Sequence, residues 1–141
     1  MKLHVLITAF FVIAFAACVK QNGSPTDRLD EHADTTAVPT SFTGSFVNGP
    51  SGSVSGTALI YVQDSLYVLS LQNMTISNGP DLHVYLSKEA FPVNFIDLGR
   101  IKSTSGNQLY TISGMPDFVQ YKYALIHCQR YNHLFGSALL K

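Results

Sequence analysis

The sequence has little charge and few residues that favour helices. Only 13% of its 141 residues are charged, and the formal net charge is zero. No stripe of basic residues interleaved with aromatic ones is present, which excludes the usual nucleic-acid-binding surface. Glu is scarce, whereas Gly, Pro, Ser, Thr and Asn are frequent, and this balance favours strands and turns. The length indicates one domain rather than two.

Motifs of the common enzyme classes are also missing. The sequence contains no nucleophile elbow, no glycine-rich phosphate loop and no paired histidines of a metallohydrolase. It also lacks an internal repeat and a long helical periodicity. We therefore predict a protein that is not an enzyme.

The N-terminal segment has the pattern of an export signal. After Lys2, residues 5–17 form an uncharged, largely apolar run of 13 residues. A spanning helix needs roughly 20 apolar residues, so the run is short for a permanent anchor and suits a signal peptide. It ends in Phe15-Ala16-Ala17-Cys18, which resembles the bacterial lipoprotein signal. That resemblance implies cleavage after residue 17 and a lipid on the Cys18 sulfur.

These features predict a protein attached to the cell envelope. The residue after Cys18 is Val19 rather than Asp, so the lipoprotein pattern implies the outer membrane. Residues 18–41 carry Gly, Pro and several acidic residues without apolar periodicity, which predicts a lipidated N-terminus followed by a disordered tether. The folded domain then covers residues 42–141.

The cysteine count leaves one thiol without an intrachain partner. Cys18 and Cys128 are the only cysteines, and lipidation consumes the first. Exported small domains use cysteines mainly in disulfide pairs, so a lone Cys128 suggests a redox site. A small buried apolar residue is the alternative. Strand alternation places His127 on the opposite face and Arg130 on the same face as Cys128, so Arg130 is a candidate for lowering the thiol pKa.

The rest of the chain predicts short strands separated by turns. Residues 57–62 and 65–71 flank a candidate hairpin turn at Gln63-Asp64, and the second strand has the apolar pattern of a central strand. Residues 97–102 and 107–112 form a second candidate hairpin. About eight short strands predict an all-β, antiparallel β-sandwich or barrel-like domain.

Two further side-chain groups are candidates for function. His83, His127, Cys128 and His133 offer the ligand types that copper or zinc favours, but we expect ordinary strand and turn roles for them and predict no metal site. Asp81 follows Gly-Pro and is expected to cap a turn.

The order of several short stretches resembles the DM-thirteen domain, also called the electron-transfer DM domain. The stretches are residues 79–86 (GPDLHVYL), 98–102 (LGRIK), 106–112 (GNQLYTI), 124–128 (ALIHC) and 135–139 (FGSAL). The resemblance implies a membrane-anchored extracytoplasmic module with a redox-associated role. It maps the family's characteristic cysteine onto Cys128, with His127, Arg130, His83 and Asp81 as possible neighbours.

The resemblance also implies a class of partner. A redox or cell-envelope protein is expected, with no cofactor in the chain itself and with contact to haem through the partner, or copper, as further options. The sequence departs from the family pattern at His127, where an aromatic residue is expected, and at residues 52–56, which lack an expected histidine. The competing interpretation is a protein- or glycan-binding module in which Cys128 is only packed.

Overall fold

The structure is a computed structural model that describes residues 23–141. The predicted signal peptide and the predicted lipidation site at Cys18 lie outside the described residues. Within residues 23–141, no helix is long and apolar enough to cross a membrane.

Nine β-strands make up the domain, which confirms the all-β prediction. They are β1 (Leu29–Asp30), β2 (Val38–Asn48), β3 (Val54–Gln63), β4 (Leu66–Ile76), β5 (Leu82–Ser87), β6 (Phe95–Arg100), β7 (Ser105–Ile112), β8 (Tyr123–Cys128) and β9 (His133–Leu139). They form one sheet in the order β1-β7-β4-β3-β2-β9-β8-β5-β6, in which, among residues 23–141, only β1 and β7 pair in parallel. The sheet curls into a half-barrel, so that β6 and β7 also make contact although they are not paired.

The first predicted hairpin is present, with its turn one residue further along the chain. β3 and β4 pair from Gln63 opposite Leu66, and the turn consists of Asp64 and Ser65. Both turn residues have positive φ angles, 50° and 63°, as a two-residue turn that follows the twist of the strands requires. The prediction of a turn at Gln63-Asp64 was therefore wrong by one position. β4 lies between β3 and β7, as expected for a central strand.

The second predicted hairpin was wrong. β6 pairs with β5, whereas β7 pairs with β4 and β1. Residues 101–104 connect β6 to β7 across one end of the half-barrel, with the Ile101 amide donating to the Leu82 carbonyl oxygen at 2.8 Å. Local alternation and a nearby glycine indicated two strands and a turn, but they carry no information about which strands pair.

Gln108 holds this connection in place from the interior. Its side chain is completely buried, and its Oε1 accepts from the Lys102 and Ser103 amides at 3.2 and 3.1 Å. Its Nε2 donates to the Ser103 carbonyl oxygen at 2.7 Å, and the Tyr110 hydroxyl donates to Oε1 at 2.8 Å. Burial raises the Tyr110 pKa far above its ordinary value.

The predicted disordered tether is corrected over residues 23–41. β1 pairs with β7 through Leu29 and Asp30, and β2 already begins at Val38. Ser24 is buried and bonds to residues 78 and 79. The charged and proline-containing composition of residues 23–41 indicated disorder, but backbone groups of this segment form hydrogen bonds with specific partners on the sheet.

The two faces of the curled sheet differ in what they pack against. The concave face encloses the main apolar core, which includes Leu69, Leu71, Ile112 and Phe118. The convex face carries a smaller apolar cluster of Tyr85, Leu125 and Leu134, with Tyr123 packed against it. Side-chain alternation along β5 and β8 therefore separates an inner from an outer set of residues.

Candidate functional site

Cys128 lies at the end of β8 and faces the core. It is opposite Leu82 on β5 and His133 on β9. The residue is only 1% exposed and belongs to the main core together with Ala124 and Ile126. This confirms the alternation predicted for β8, and it means that the thiol is enclosed by apolar side chains.

Arg130 does not share a strand with Cys128. β8 ends at Cys128, and residues 129–132 form a turn before β9. Arg130 is exposed in this turn, so the alternation that assigned it to the face of Cys128 does not extend to it. The proposed effect of its charge on the thiol has no support from this placement.

A charged network surrounds His83 on the convex face of β5. The ring Nδ1 of His83 lies 2.9 and 3.1 Å from the two carboxylate oxygens of Asp97. Its Nε2 lies 3.6 Å from Oδ1 of Asp81. His83 therefore lies between two carboxylates, and only its protonated form offers an N–H to both.

Asp81 also forms an ion pair with Arg100. The Arg100 Nη2 lies 2.8 Å from Asp81 Oδ1, while the backbone carbonyl of Asp81 accepts from the Gln129 amide at 2.9 Å. In addition to its predicted role in a turn, Asp81 therefore takes part in an ion pair. That pair is close but lacks hydrogen-bond alignment, because Asp81 Oδ1 has no hydrogen-bond partner among the described residues.

His127 stands beside His83 in the next strand. The two histidines are direct partners in the β5–β8 pairing. The Asn132 Oδ1 lies 3.0 Å from Nε2 of His127, which places the ring proton on Nε2. Burial, followed by the nearby His133 and His83, lowers the His127 pKa below its ordinary value, although the Asn132 hydrogen bond acts in the opposite direction.

Aromatic rings cover the two histidines. The Tyr85 ring stacks on Phe95 with 4.2 Å between centroids and lies 5.4 Å from the His127 ring. Phe91 meets His127 edge-on at 6.0 Å. Burial and the charge of Asp97 raise the pKa of Tyr85, so its hydroxyl stays protonated at neutral pH. We call His83, Tyr85, His127, Phe91 and Phe95 the histidine-aromatic face.

Three buried polar atoms in this region have no hydrogen-bond partner among residues 23–141. They are Asp81 Oδ1, His83 Nε2 and His127 Nδ1. Buried polar atoms are nearly always paired, and the exceptions call for a functional or solvent-based reason. The charged network and the histidine-aromatic face therefore have unused hydrogen-bonding capacity just beneath the surface.

The four candidate metal ligands do not form one site. Cys128 faces the core, whereas His83 and His127 lie on the convex face and His133 is exposed near Tyr131. Within the described part of the chain, no group of three or more His, Cys, Asp or Glu side chains is arranged to hold a metal ion.

A family comparison covers most of the described domain. A sequence model described as "Electron transfer DM13" matches residues 45–140. The chain belongs to the electron transfer DM13 family. The DM13 match covers β3 to β9 and the end of β2, so β1 and the segment before it precede the matched region. Comparisons with curated proteins and with solved structures gave no match.

Sequence reasoning missed several residues of this candidate site. Asp97 is the partner of His83, Arg100 of Asp81, and Asn132 of His127. The pairing of β5 with β6 sets His83 opposite Arg100. A prediction that β5 pairs with β6 would have brought these residues together. We predicted a β6–β7 hairpin instead, so the contacts were missed.

Proposed function

We propose that this protein is a lipid-anchored, extracytoplasmic DM13 module that docks with a cofactor-bearing redox protein and has no enzymatic activity of its own. The export-signal pattern ending at Cys18 supports the anchor and the envelope location. The DM13 match supports an association with electron transfer. On this proposal the partner supplies the haem, copper or other redox group.

The histidine-aromatic face is the observation on which the docking site rests. Phe91 and Phe95 are 43% and 41% exposed, directly above rings that are nearly completely buried. Exposed aromatic residues are common anchors of protein interfaces. The neighbouring His83 and His127 each carry a buried nitrogen without a hydrogen-bond partner among residues 23–141.

Cys128 has two candidate roles within this proposal. As a one-thiol redox site, it would give one electron to the partner's oxidised cofactor and release its proton, which leaves a thiyl radical on the sulfur and a reduced cofactor on the partner. Direct thiol exchange needs exposure, and the thiol is 1% exposed. This burial favours the second role, in which Cys128 packs the core of a protein- or glycan-binding module.

A site-specific crosslinking experiment tests the docking proposal. A photoreactive amino acid replaces Phe91 in the full-length protein in its native envelope, and a matched chain carries it at Leu66. Leu66 is 54% exposed and lies on β4, which pairs with β3 and β7 and not with the strands of the histidine-aromatic face. We expect a Phe91-specific adduct with a protein whose absorption spectrum shows a redox cofactor. A cofactor-free protein or a glycan as the specific adduct would replace the electron-transfer proposal with the binding-module one.

The captured pair also separates the two roles of Cys128. Reduction of the partner's oxidised cofactor is compared between the native chain and Cys128→Ala, at matched folded fractions. Reduction by the native chain that is lost in Cys128→Ala would assign the electron to the thiol. If the residue only packs, both chains are expected to leave the cofactor oxidised.

A further inference from the structure

An N-terminal strap ties the chain to one end of the domain. Ser24 is 7% exposed, and its amide and hydroxyl donate to Asn78 Oδ1 at 2.8 Å and to the Gly79 carbonyl oxygen at 2.9 Å. Asn78 returns a bond to the Ser24 carbonyl oxygen at 3.1 Å. A residue bonded in this way has a fixed position on the domain surface.

The strap continues along the sheet edge. The Thr104 amide donates to the Pro25 carbonyl oxygen at 2.8 Å. The Glu31 carboxylate accepts from the Leu109 amide and from Lys102 Nζ, both at 2.8 Å. Backbone pairing of β1 with β7 lies between these contacts. Residues 24–34 are therefore a part of the sheet edge, and we call them the strap.

The strap begins at the same end of the half-barrel as the candidate site. Strands β2, β4, β6 and β8 finish at this end, and β3, β5, β7 and β9 start there. This end of the half-barrel is formed by residues 49–53, 77–81, 101–104 and 129–132, together with Ser24. The strap therefore starts at the end of the half-barrel that holds Cys128, Asp81 and His83. We call this end the site end.

The strap limits how far the site end can lie from a lipid on Cys18. Cys18 and Ser24 are six residues apart, and an extended chain spans at most roughly 20 Å over that distance. A tether that is free through residue 41 would reach roughly 80 Å on the same rule. This step rests on the lipid anchor of the proposed function.

We propose that the site end faces the bilayer and that the turn at residues 129–132 contacts its headgroups. All four turn residues are exposed, and Tyr131 is 57% exposed. Tyrosine is enriched at membrane interfaces, where its ring lies among the headgroups. Arg130 adds a charge that anionic headgroups attract. The partner of this surface is therefore the lipid headgroup layer.

Tryptophan fluorescence tests the orientation, because the chain contains no native tryptophan. Tyr131→Trp places the probe in the turn. Met115→Trp is the matched control, since Met115 is 82% exposed and lies between β7 and β8 at the opposite end. Each full-length lipidated variant is reconstituted into vesicles of phosphatidylcholine and phosphatidylglycerol, with and without lipids brominated near the headgroup.

We expect bromine to remove most of the fluorescence of Tyr131→Trp and to leave Met115→Trp unchanged. Equal quenching of both, or quenching of Met115→Trp alone, would overturn the orientation while leaving the anchor intact. Vesicle flotation reports the anchor separately. A chain that does not float would overturn the anchor of the proposed function, and this inference with it.

A spacer variant tests whether the strap sets the distance. A flexible Gly-Ser insert of about 18 residues between Cys18 and Ser24 restores the reach of a long tether. We expect it to relieve most of the quenching of Tyr131→Trp. Quenching that persists unchanged would show that the short connection does not determine the orientation and would overturn the reach argument.

Discussion

The most demanding structural prediction concerns Gln108. Gln108→Met replaces a completely buried amide with an apolar side chain of similar length, so the change removes hydrogen bonds while creating little cavity volume. The Ser103 amide and the Ser103 carbonyl oxygen both lose their Gln108 partner. The buried Tyr110 hydroxyl also loses the acceptor of its proton, whereas the Lys102 amide keeps the Tyr110 hydroxyl oxygen as an acceptor at 3.0 Å.

Three orphaned buried groups set the magnitude. Each costs about 1–3 kcal/mol when it is left unpaired, so we expect the free energy of unfolding to fall by about 3–9 kcal/mol. This is a large part of the about 5–15 kcal/mol that stabilises a typical domain. The connection across the site end should loosen first, because residues 101–104 lose their interior attachment.

Urea denaturation followed by circular dichroism measures the effect. Gln120→Met is the matched control, because Gln120 is exposed and pairs only with exposed groups; its change should stay within about 0.5 kcal/mol. A loss below about 1 kcal/mol for Gln108→Met would refute the reasoning that these four hydrogen bonds hold the connection.

Three further predictions follow from the site and the strap. Burial lowers the folded-state pKa of His127 below the ordinary histidine value of 6.5. The contribution of the neutral ring to stability is therefore complete above pH 6.5 and is lost as the pH falls below it. The urea midpoint should fall less between neutral and mildly acidic pH in His127→Gln than in the native protein. Asp97→Asn removes the carboxylate that faces Nδ1 of His83 and should lower the unfolding free energy by about 1–3 kcal/mol, measured in the same denaturation; no change would contradict a stabilising hydrogen bond between His83 and Asp97. Gly106 has a φ angle of 98°, and a Cβ there would overlap the Leu29 carbonyl oxygen, so Gly106→Ala should release β1 and accelerate proteolysis before residue 38. Gly114→Ala, at a glycine with open space around it, is the control.

The local chemistry of the strands was predictable from the sequence, but their partners were not. Alternation along β8 correctly separated His127 from Cys128, since a side-chain period of two depends only on the strand itself. The pairing of β6 depends on β5, which is close in sequence but was not recognised as its partner. For that reason the contacts of His83 with Asp97 and of Asp81 with Arg100 could not be derived.

The strap shows a different limit of sequence reasoning. Residues 24–34 lack apolar periodicity, because a sheet edge at the surface is held by backbone and polar bonds rather than by an apolar face. Glu31 illustrates this: its hydrogen bonds to Lys102 and to the Leu109 amide outweigh burial and lower its pKa. The partners lie more than 70 residues away in sequence, and no local pattern reports them.

The central claim is that the DM13 fold keeps the thiol of Cys128 inside the core while the histidines face outward. Alkylation kinetics of a full-length Cys18→Ser chain, in which Cys128 is the sole thiol, tests this claim most directly. We predict no labelling of the native protein beyond the rate of its unfolding, and full labelling in denaturant. Rapid labelling of the native protein would contradict the claim and would restore Cys128 as an accessible redox site.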